Sequence, residues 1–306
     1  MLQNILNIPK VIAIVVALNP NQDELKELLA ATLPQVDRII VMDNGSDTCN
    51  LDWLRDFIDE RPIELHHLDE NYGVATAINK GIELAKKQGA DYVILFDHDS
   101  LPAPDMVAKL LVASLSKEAA GQRVGAVGPF YEDPRRLVPS QPFVDLEDAR
   151  FVRRKFNQLD STAKVSHVIS SGALISMATL DAVGHMKEEL FIDFVDIEWA
   201  LRARHLGYPS FGVWGALMQH SLGDQRRFIF GKSFRSHSPR RHYYQFRNAI
   251  WIYRQPYLSL SNKLGESWRL FKRFVACAIF VKPRKENLKM MLRGLAHGIT
   301  GRLGKF

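Results

Sequence analysis

Between residues 11 and 115 short apolar runs and helical stretches take turns, and no other feature constrains the fold of this chain so tightly. Val11 to Leu18 is a continuous β-branched run closed by Asn19-Pro20, the pattern of a strand buried on both faces. Asp23 to Ala31 reads as helix, Arg38 to Met42 as a second strand, and Asp43-Asn44-Gly45-Ser46-Asp47 as the turn that stops it. A third strand over Glu64 to Leu68 precedes Asn71-Tyr72-Gly73. After it, Ala77, Ile78, Ile82 and Ala85 recur at helical spacing within Ala75 to Lys87. Tyr92 to Phe96 is a fourth strand ending in Asp97-His98-Asp99-Ser100, and Pro102 and Pro104 lead into a helix over Asp105 to Leu115. This alternation predicts a parallel sheet covered by helices on both faces.

In such sheets ligands sit beyond the carboxyl ends of the strands, where this chain places Asn19, Asp43, Asp97 and Asp99. The region from Arg123 to Asp160 is less regular, and Pro129, Pro134, Pro139 and Pro142 predict a loop bordering an acceptor cleft. Cys49 and Cys277 are the only cysteines, which excludes a disulfide framework and a structural zinc site of several thiolates. No secretory signal is visible at Met1 to Lys10, and the late apolar stretch Phe274 to Val281 falls short of the roughly 20 residues a bilayer requires. A cytoplasmic protein is expected.

Two carboxylates two residues apart at a strand end, Asp97 and Asp99, can share the work of holding a ribose and a divalent cation. Mg²⁺ and Mn²⁺ take oxygen ligands and are commonly held by one or two carboxylates together with substrate phosphates. A helix-capping turn is the plainer alternative. Neither a G-x-x-x-x-G-K-[ST] loop nor a G-x-G-x-x-G fingerprint occurs, so nucleotide handling would rest on carboxylates and a metal.

Several segments, in order, resemble the inverting glycosyltransferases of family 2 and, within them, the bacterial rhamnosyltransferases. They are Val15-Val16-Ala17-Leu18-Asn19, Val41-Met42-Asp43-Asn44-Gly45-Ser46, Asn71-Tyr72-Gly73-Val74-Ala75 with Asn79-Lys80-Gly81, and Asp97-His98-Asp99-Ser100. Ser171-Gly172, Asp193-Phe194-Val195-Asp196-Ile197-Glu198-Trp199 and His220-Ser221-Leu222-Gly223-Asp224 follow. The resemblance implies an α/β fold of the GT-A type over residues 1–225, Rossmann-like and mostly parallel, with a basic helical extension over 226–306. It implies that Asn19, Asp43, Asn71, Gly73 and Asp97 hold a dTDP-sugar donor, Asp43 at the base and Asp97 near the ribose. Asp99 and His220 would hold Mn²⁺ or Mg²⁺. Asp196 matches the general base, with Asp193 and Glu198 as rivals, and its apolar neighbours Val195, Ile197 and Trp199 favour a raised pKa. Ser171, Gly172, Glu198 and Trp199 are expected at the acceptor.

The activity so implied is transfer of L-rhamnose from dTDP-β-L-rhamnose to a bacterial polysaccharide, O-antigen or glycolipid precursor. Another nucleotide sugar, or a catalytically silent membrane-associated glycan-binding protein, is the competing reading. Arg240, Arg241, His242, Tyr243, Tyr244 and Arg247 form a basic, aromatic cluster that either holds phosphates or is a solvated helical face.

The net charge of +6 is unevenly distributed. Residues 1–224 carry 21 Lys/Arg against 32 Asp/Glu, and residues 225–306 carry 19 against 2. Within Lys263 to Phe280, Leu264, Trp268, Phe271, Val275 and Ile279 recur at helical spacing, as do Leu288, Met291, Leu295 and Ile299 further on. Amphipathic basic helices of this kind suit an anionic membrane surface at the inner face of the cell membrane. Packing against the catalytic body, or against a second subunit in a homo-oligomer, is the alternative. No nucleic-acid partner is expected, because no recognised motif for one accompanies the basic tail.

Overall fold

The computed structural model describes residues 8–47, 52–59, 61–133, 143–147, 150–154, 161–220, 226–229, 232–235 and 237–306. The strands are β1 Val11–Ala17, β2 Arg38–Asp43, β3 Ile63–His67, β4 Tyr92–Asp97, β5 Ser100–Pro102, β6 Ala126–Glu132, β7 Val144–Glu147, β8 Arg150–Arg153, β9 Thr162–Val165, β10 Leu174–Ser176, β11 Ser210–His220, β12 Arg226–Ile229 and β13 Lys232–Arg235. The α-helices are α1 Gln22–Thr32, α2 Asp52–Ile58, α3 Val74–Lys87, α4 Met106–Ala119, α5 Met177–Val183, α6 Val195–His205, α7 Pro239–Tyr253, α8 Leu260–Phe280 and α9 Arg284–Thr300.

Among the described residues a nine-stranded sheet runs in the order β3-β2-β1-β4-β10-β6-β11-β5, with β9 added on β11. The first four of these strands are parallel, and β10 pairs antiparallel with both β4 and β6. β1 shows how the sequence builds the layers, since every residue from Val11 to Ala17 is buried. Ile12, Ile14 and Val16 join Ile78 and Ile82 of α3 in one core, while Val11, Ala13, Val15 and Ala17 join Leu25, Leu28 and Leu29 of α1 in the other. Asn21 caps α1 by accepting from the backbone amides of Asp23 (2.9 Å) and Glu24 (3.3 Å).

The expected loop from Arg123 to Asp160 is corrected by β6, which lies inside the sheet, and by the β7–β8 hairpin. Pro129 misleads because a proline cannot donate to a ladder. It is tolerated because β10 pairs with β6 only at Ala126 and Val127, leaving β11 as the remaining neighbour at Pro129. Pro134, Pro139 and Pro142, and also Cys49, lie outside the described residues.

Helices α7, α8 and α9 share a core of Phe246, Ala249, Leu270, Cys277, Val281 and Met291. The chain beyond α9 also grips the α/β body: the amide of Gly304 donates to Glu189 O at 2.8 Å, and Lys305 pairs with Glu70. No helix among the described residues is long and apolar enough to cross a membrane.

Candidate active site

Strand order reverses between β1 and β4, and the crevice beyond their carboxyl ends is where an open α/β sheet binds its ligand. Register places two carboxylates there, one on each side of β1: Asp97 lies opposite Val16 and Asp43 opposite Ala17. Asp43 is fully buried. One of its oxygens meets Ser46 Oγ, and the other meets His67 Nδ1 at 2.6 Å and the Ser46 amide at 3.1 Å. Asn19, at φ 43°, accepts from the Asp47 amide (3.0 Å), and its own amide donates to Ser46 Oγ (2.6 Å). These bonds fix the floor of the crevice.

Asn71 Oδ1 accepts from Asn44 Nδ2 (3.1 Å) and from the Gly73 amide (2.9 Å). Gly73 has φ +94°, and a Cβ there would lie 2.6 Å from Phe191 O, so the turn into α3 admits only glycine. The next amide, Val74, donates to the same Phe191 oxygen at 2.8 Å, joining the turn before α3 to the segment that precedes α6.

Asp97, Asp99 and His220 come together with one ligand atom each, all within 4.8 Å of one another. His98 is not part of this group. Antiparallel pairing of β5 with β11 sets Ser100 opposite His220, and this carries the imidazole across 120 residues to the carboxylates. Ser100 Oγ lies 2.9 Å from His220 Nδ1 and 2.5 Å from Ser171 Oγ, while Ser171 Oγ accepts from the Asp97 amide at 3.2 Å. Ser171 therefore supports the acidic strand end. Gly172 beside it, at φ +82°, lies so close to Pro129 that a Cβ would meet the ring at 2.5 Å. Burial pushes the Asp97 carboxyl up and the charges of Asp99 and Asp196 add to this, while His220 and His98 oppose it. About a third of the Asp97 side chain stays open to solvent, which tempers the effect. Two carboxylate oxygens and one imidazole nitrogen within a single ion's reach fit a divalent cation such as Mn²⁺ or Mg²⁺.

The three acidic candidates around α6 are separated by their partners. Asp193 is held by Arg241 Nε at 3.1 and 3.3 Å and by Gln245 Nε2 at 3.3 Å. Glu198 is fully buried and clamped by Arg202 Nε at 2.9 Å and Nη2 at 3.1 Å. Asp196 instead accepts from backbone amides, that of Ile197 at 2.8 Å and that of Ser170. Burial pushes its carboxyl above the usual aspartate range, against the pull of His167 and of those amides. Burial likewise lowers the imidazole of His167, a residue that no sequence pattern singles out.

Two groups of candidate residues carry partners of their own. Glu198 is bonded to Arg202, and Trp199 is 2% exposed with its indole N–H donated to Gly184 O at 2.8 Å. The basic cluster on α7 is neither a phosphate cradle nor a solvated face. His242, Tyr243, Tyr244 and Arg247 are buried, and Arg240 donates to Phe306 O. Arg247 donates to the carbonyls of Gly304 (2.5 Å), Glu189 (3.1 Å) and Leu190 (2.8 Å). Its neighbour Asn248 donates to those of Leu190, Ile192 and Asp193 at 3.0, 2.9 and 2.9 Å. Between them they hold a segment in which Phe191, Asp193 and Phe194 all have positive φ, immediately before Asp196. The motif Ser221-Leu222-Gly223-Asp224 lies outside the described residues.

With this geometry in place, comparison with known proteins becomes specific. The chain is 29% identical over 297 residues, 94% of its length and 96% of the relative's, to dTDP-rhamnosyl transferase RfbF of Shigella flexneri. It is 26% identical to the galactofuranosyltransferase GlfT1 of Mycolicibacterium smegmatis, over 80% of this chain and 84% of that one. The fold is shared with a crystal structure of GalNAc-T7 with UDP, GalNAc and Mn²⁺, at a TM-score of 0.62 and 14% identity. That alignment covers 97% of this chain and 58% of GalNAc-T7. The model of Glycosyl transferase family 2 matches residues 12–184, which contain the β1–β4 crevice and both carboxylates of the acidic pair, and the chain belongs to that family.

Proposed function

We propose that the protein transfers L-rhamnose, with inversion, from dTDP-β-L-rhamnose to a hydroxyl of a bacterial polysaccharide, O-antigen or glycolipid precursor, giving an α-linkage. The observation that carries this reading is the likeness to a dTDP-rhamnosyl transferase across 94% of the chain. Asn19, Asp43, Asn71, Gly73 and Asp97 bind the donor in the crevice, and Ser171 and Gly172 border the acceptor. Asp99 and His220, with Asp97 beside them, hold Mn²⁺ or Mg²⁺, which when bound neutralises the charge left on the departing nucleoside diphosphate. Asp196 accepts the proton of the acceptor hydroxyl as that oxygen bonds to the anomeric carbon and the bond to the diphosphate breaks. Its partly buried position supports this role, because a carboxyl raised above its ordinary range is a stronger base.

Residues 1–225 form the catalytic domain in this reading, and residues 226–306 bring it to the cytoplasmic face of the membrane. The outer side of α8 supports the latter point: Leu264 is 65% exposed, Trp268 60% and Phe271 54%, with Lys272 beside them.

Calorimetric titration with dTDP-L-rhamnose, UDP-glucose and UDP-galactose, with Mn²⁺ and then with chelator, tests donor and metal together. Metal-dependent preference for dTDP-L-rhamnose is expected. Preference for a UDP-sugar would keep the transferase class and overturn the rhamnose assignment, and binding of none would favour a silent glycan-binding protein. Asp196→Asn should bind donor normally and transfer nothing.

A further inference from the structure

A cavity of about 500 Å³ lies where α6, α7 and the start of α8 meet β7 and the chain just after β9. Its apolar walls include Leu146, Phe194, Ile197, Leu201, Ile252 and Leu258. Phe194 and Ile197 bracket Asp196 in the chain, and His167, whose charge Asp196 feels, belongs to the same lining. The cavity is thus built against the segment that carries the base, and its size is that of a small-molecule site.

The chemistry of the walls selects the occupant. Of its polar lining, Ser166 Oγ is donated to Val144 O at 3.0 Å and lies 2.9 Å from His167 Nδ1, Tyr253 Oη is donated to Glu266 O at 3.4 Å, Glu266 is paired with Arg269 at 2.6 Å, and Arg153 is exposed to solvent. A sugar placed here would bury hydroxyls against leucine and isoleucine, each unmet hydroxyl costing about 1–3 kcal/mol. A hydrocarbon chain would instead lose only water. α8 connects the cavity to the surface suited to lipid: Glu266 lines the cavity on its inner side, and Leu264, Trp268 and Phe271 stand exposed on its outer side.

We propose that this cavity holds the alkyl or isoprenoid segment next to the accepting sugar of a lipid-linked acceptor, so that the acceptor is recognised by its hydrocarbon as well as by its hydroxyl. The proposal rests on the transferase reading above and names the acceptor class for it.

The test uses the full chain and two soluble probes, methyl and n-octyl α-L-rhamnopyranoside, the latter below its micelle concentration. A second octyl probe carries a diazirine at the chain end, and the sugar serves only as a handle. The octyl probe should bind at least about 100-fold tighter than the methyl one, as expected when several methylenes leave water. Photolysis should label peptides containing residues 194–201 and 252–258. Leu258→Trp, which fills the cavity, and Leu258→Asn, which makes its wall polar, should each abolish the chain-length preference and the label. Equal binding of both probes overturns the proposal, as does label confined to Trp268 and Phe271 with the Leu258 variants binding like the parent. Metal-dependent donor binding, measured on the same samples, reports separately on whether the transferase reading holds.

Discussion

Replacing Asn248 by alanine should slow transfer far more than it weakens nucleotide-sugar binding. The Asn248 amide group has two hydrogens and serves three carbonyls at 2.9–3.0 Å, and its Oδ1 accepts from Arg247 Nε at 2.8 Å. A net hydrogen bond is worth about 1 kcal/mol, so the two hydrogens together supply about 2 kcal/mol to the Leu190–Asp193 segment. Phe191 and Asp193 of that segment, and Phe194 just after it, sit at φ 62–67°, and conformations of this kind cost on the order of 1–3 kcal/mol each. Without the clamp the segment should relax, and a loss of about 2 kcal/mol leaves the competent arrangement populated roughly 30-fold less. The expected result is a kcat about 30-fold lower and a much smaller loss of nucleotide-sugar affinity, because Asn19, Asp43 and Asp97 follow or end β1, β2 and β4 and only the Gly73 turn touches the segment, through Phe191. Amide hydrogen exchange over residues 189–195 should quicken by a similar factor. A folded Asn248→Ala protein that keeps kcat within twofold of the parent refutes the reasoning.

Asp99→Ala should lose metal-dependent donor binding in calorimetry while retaining its melting temperature, since Asp99 is partly exposed at the crevice mouth. Retained metal dependence would transfer the role to other side chains. Trp268→Glu with Phe271→Glu should weaken sedimentation with anionic liposomes, most clearly at low salt, and leave transfer to a soluble acceptor intact. Unchanged sedimentation would mean that this face of α8 meets protein instead. His242, fully buried beside Arg273 and His237, has its pKa lowered to about 4, so between about pH 6.5 and 4 the unfolded chain binds the proton and the folded one does not. Stability should therefore fall as pH drops through that window, by up to about 3 kcal/mol at the acid end. His242→Phe should flatten that slope in denaturant titrations at pH 7 and pH 5.

How much the sequence reveals depends on whether the signal is local. β1, β2 and β4 announce themselves because strands buried on both faces must be apolar throughout, and each ends at a carboxylate or amide that the parallel register lines up beside its neighbour. β6 is hidden by Pro129, which is harmless only because of how short β10 is. The α7 cluster is misread because Arg247 and Asn248 look like surface residues until their carbonyl partners, more than 50 residues earlier, are known. Asp196 is distinguished from Asp193 and Glu198 by partners on α7 and within α6, which spacing alone cannot assign. His167 and the apolar cavity depend on side chains from five separate elements, and no local pattern announces them.

The bond from Gly304 to Glu189, and the grip of Arg247 on both residues, also bears on how the molecule is made. As the chain leaves the ribosome, β1 to β4 emerge well before Ser171, Phe191 and His220, which support the crevice from later in the sequence. The segment that aims Asp196 stays unpinned until residues past 300 have emerged and docked. Strands β1 to β4 can thus pair early, whereas the segment before Asp196 takes its final shape only after the residues that follow α9 have docked.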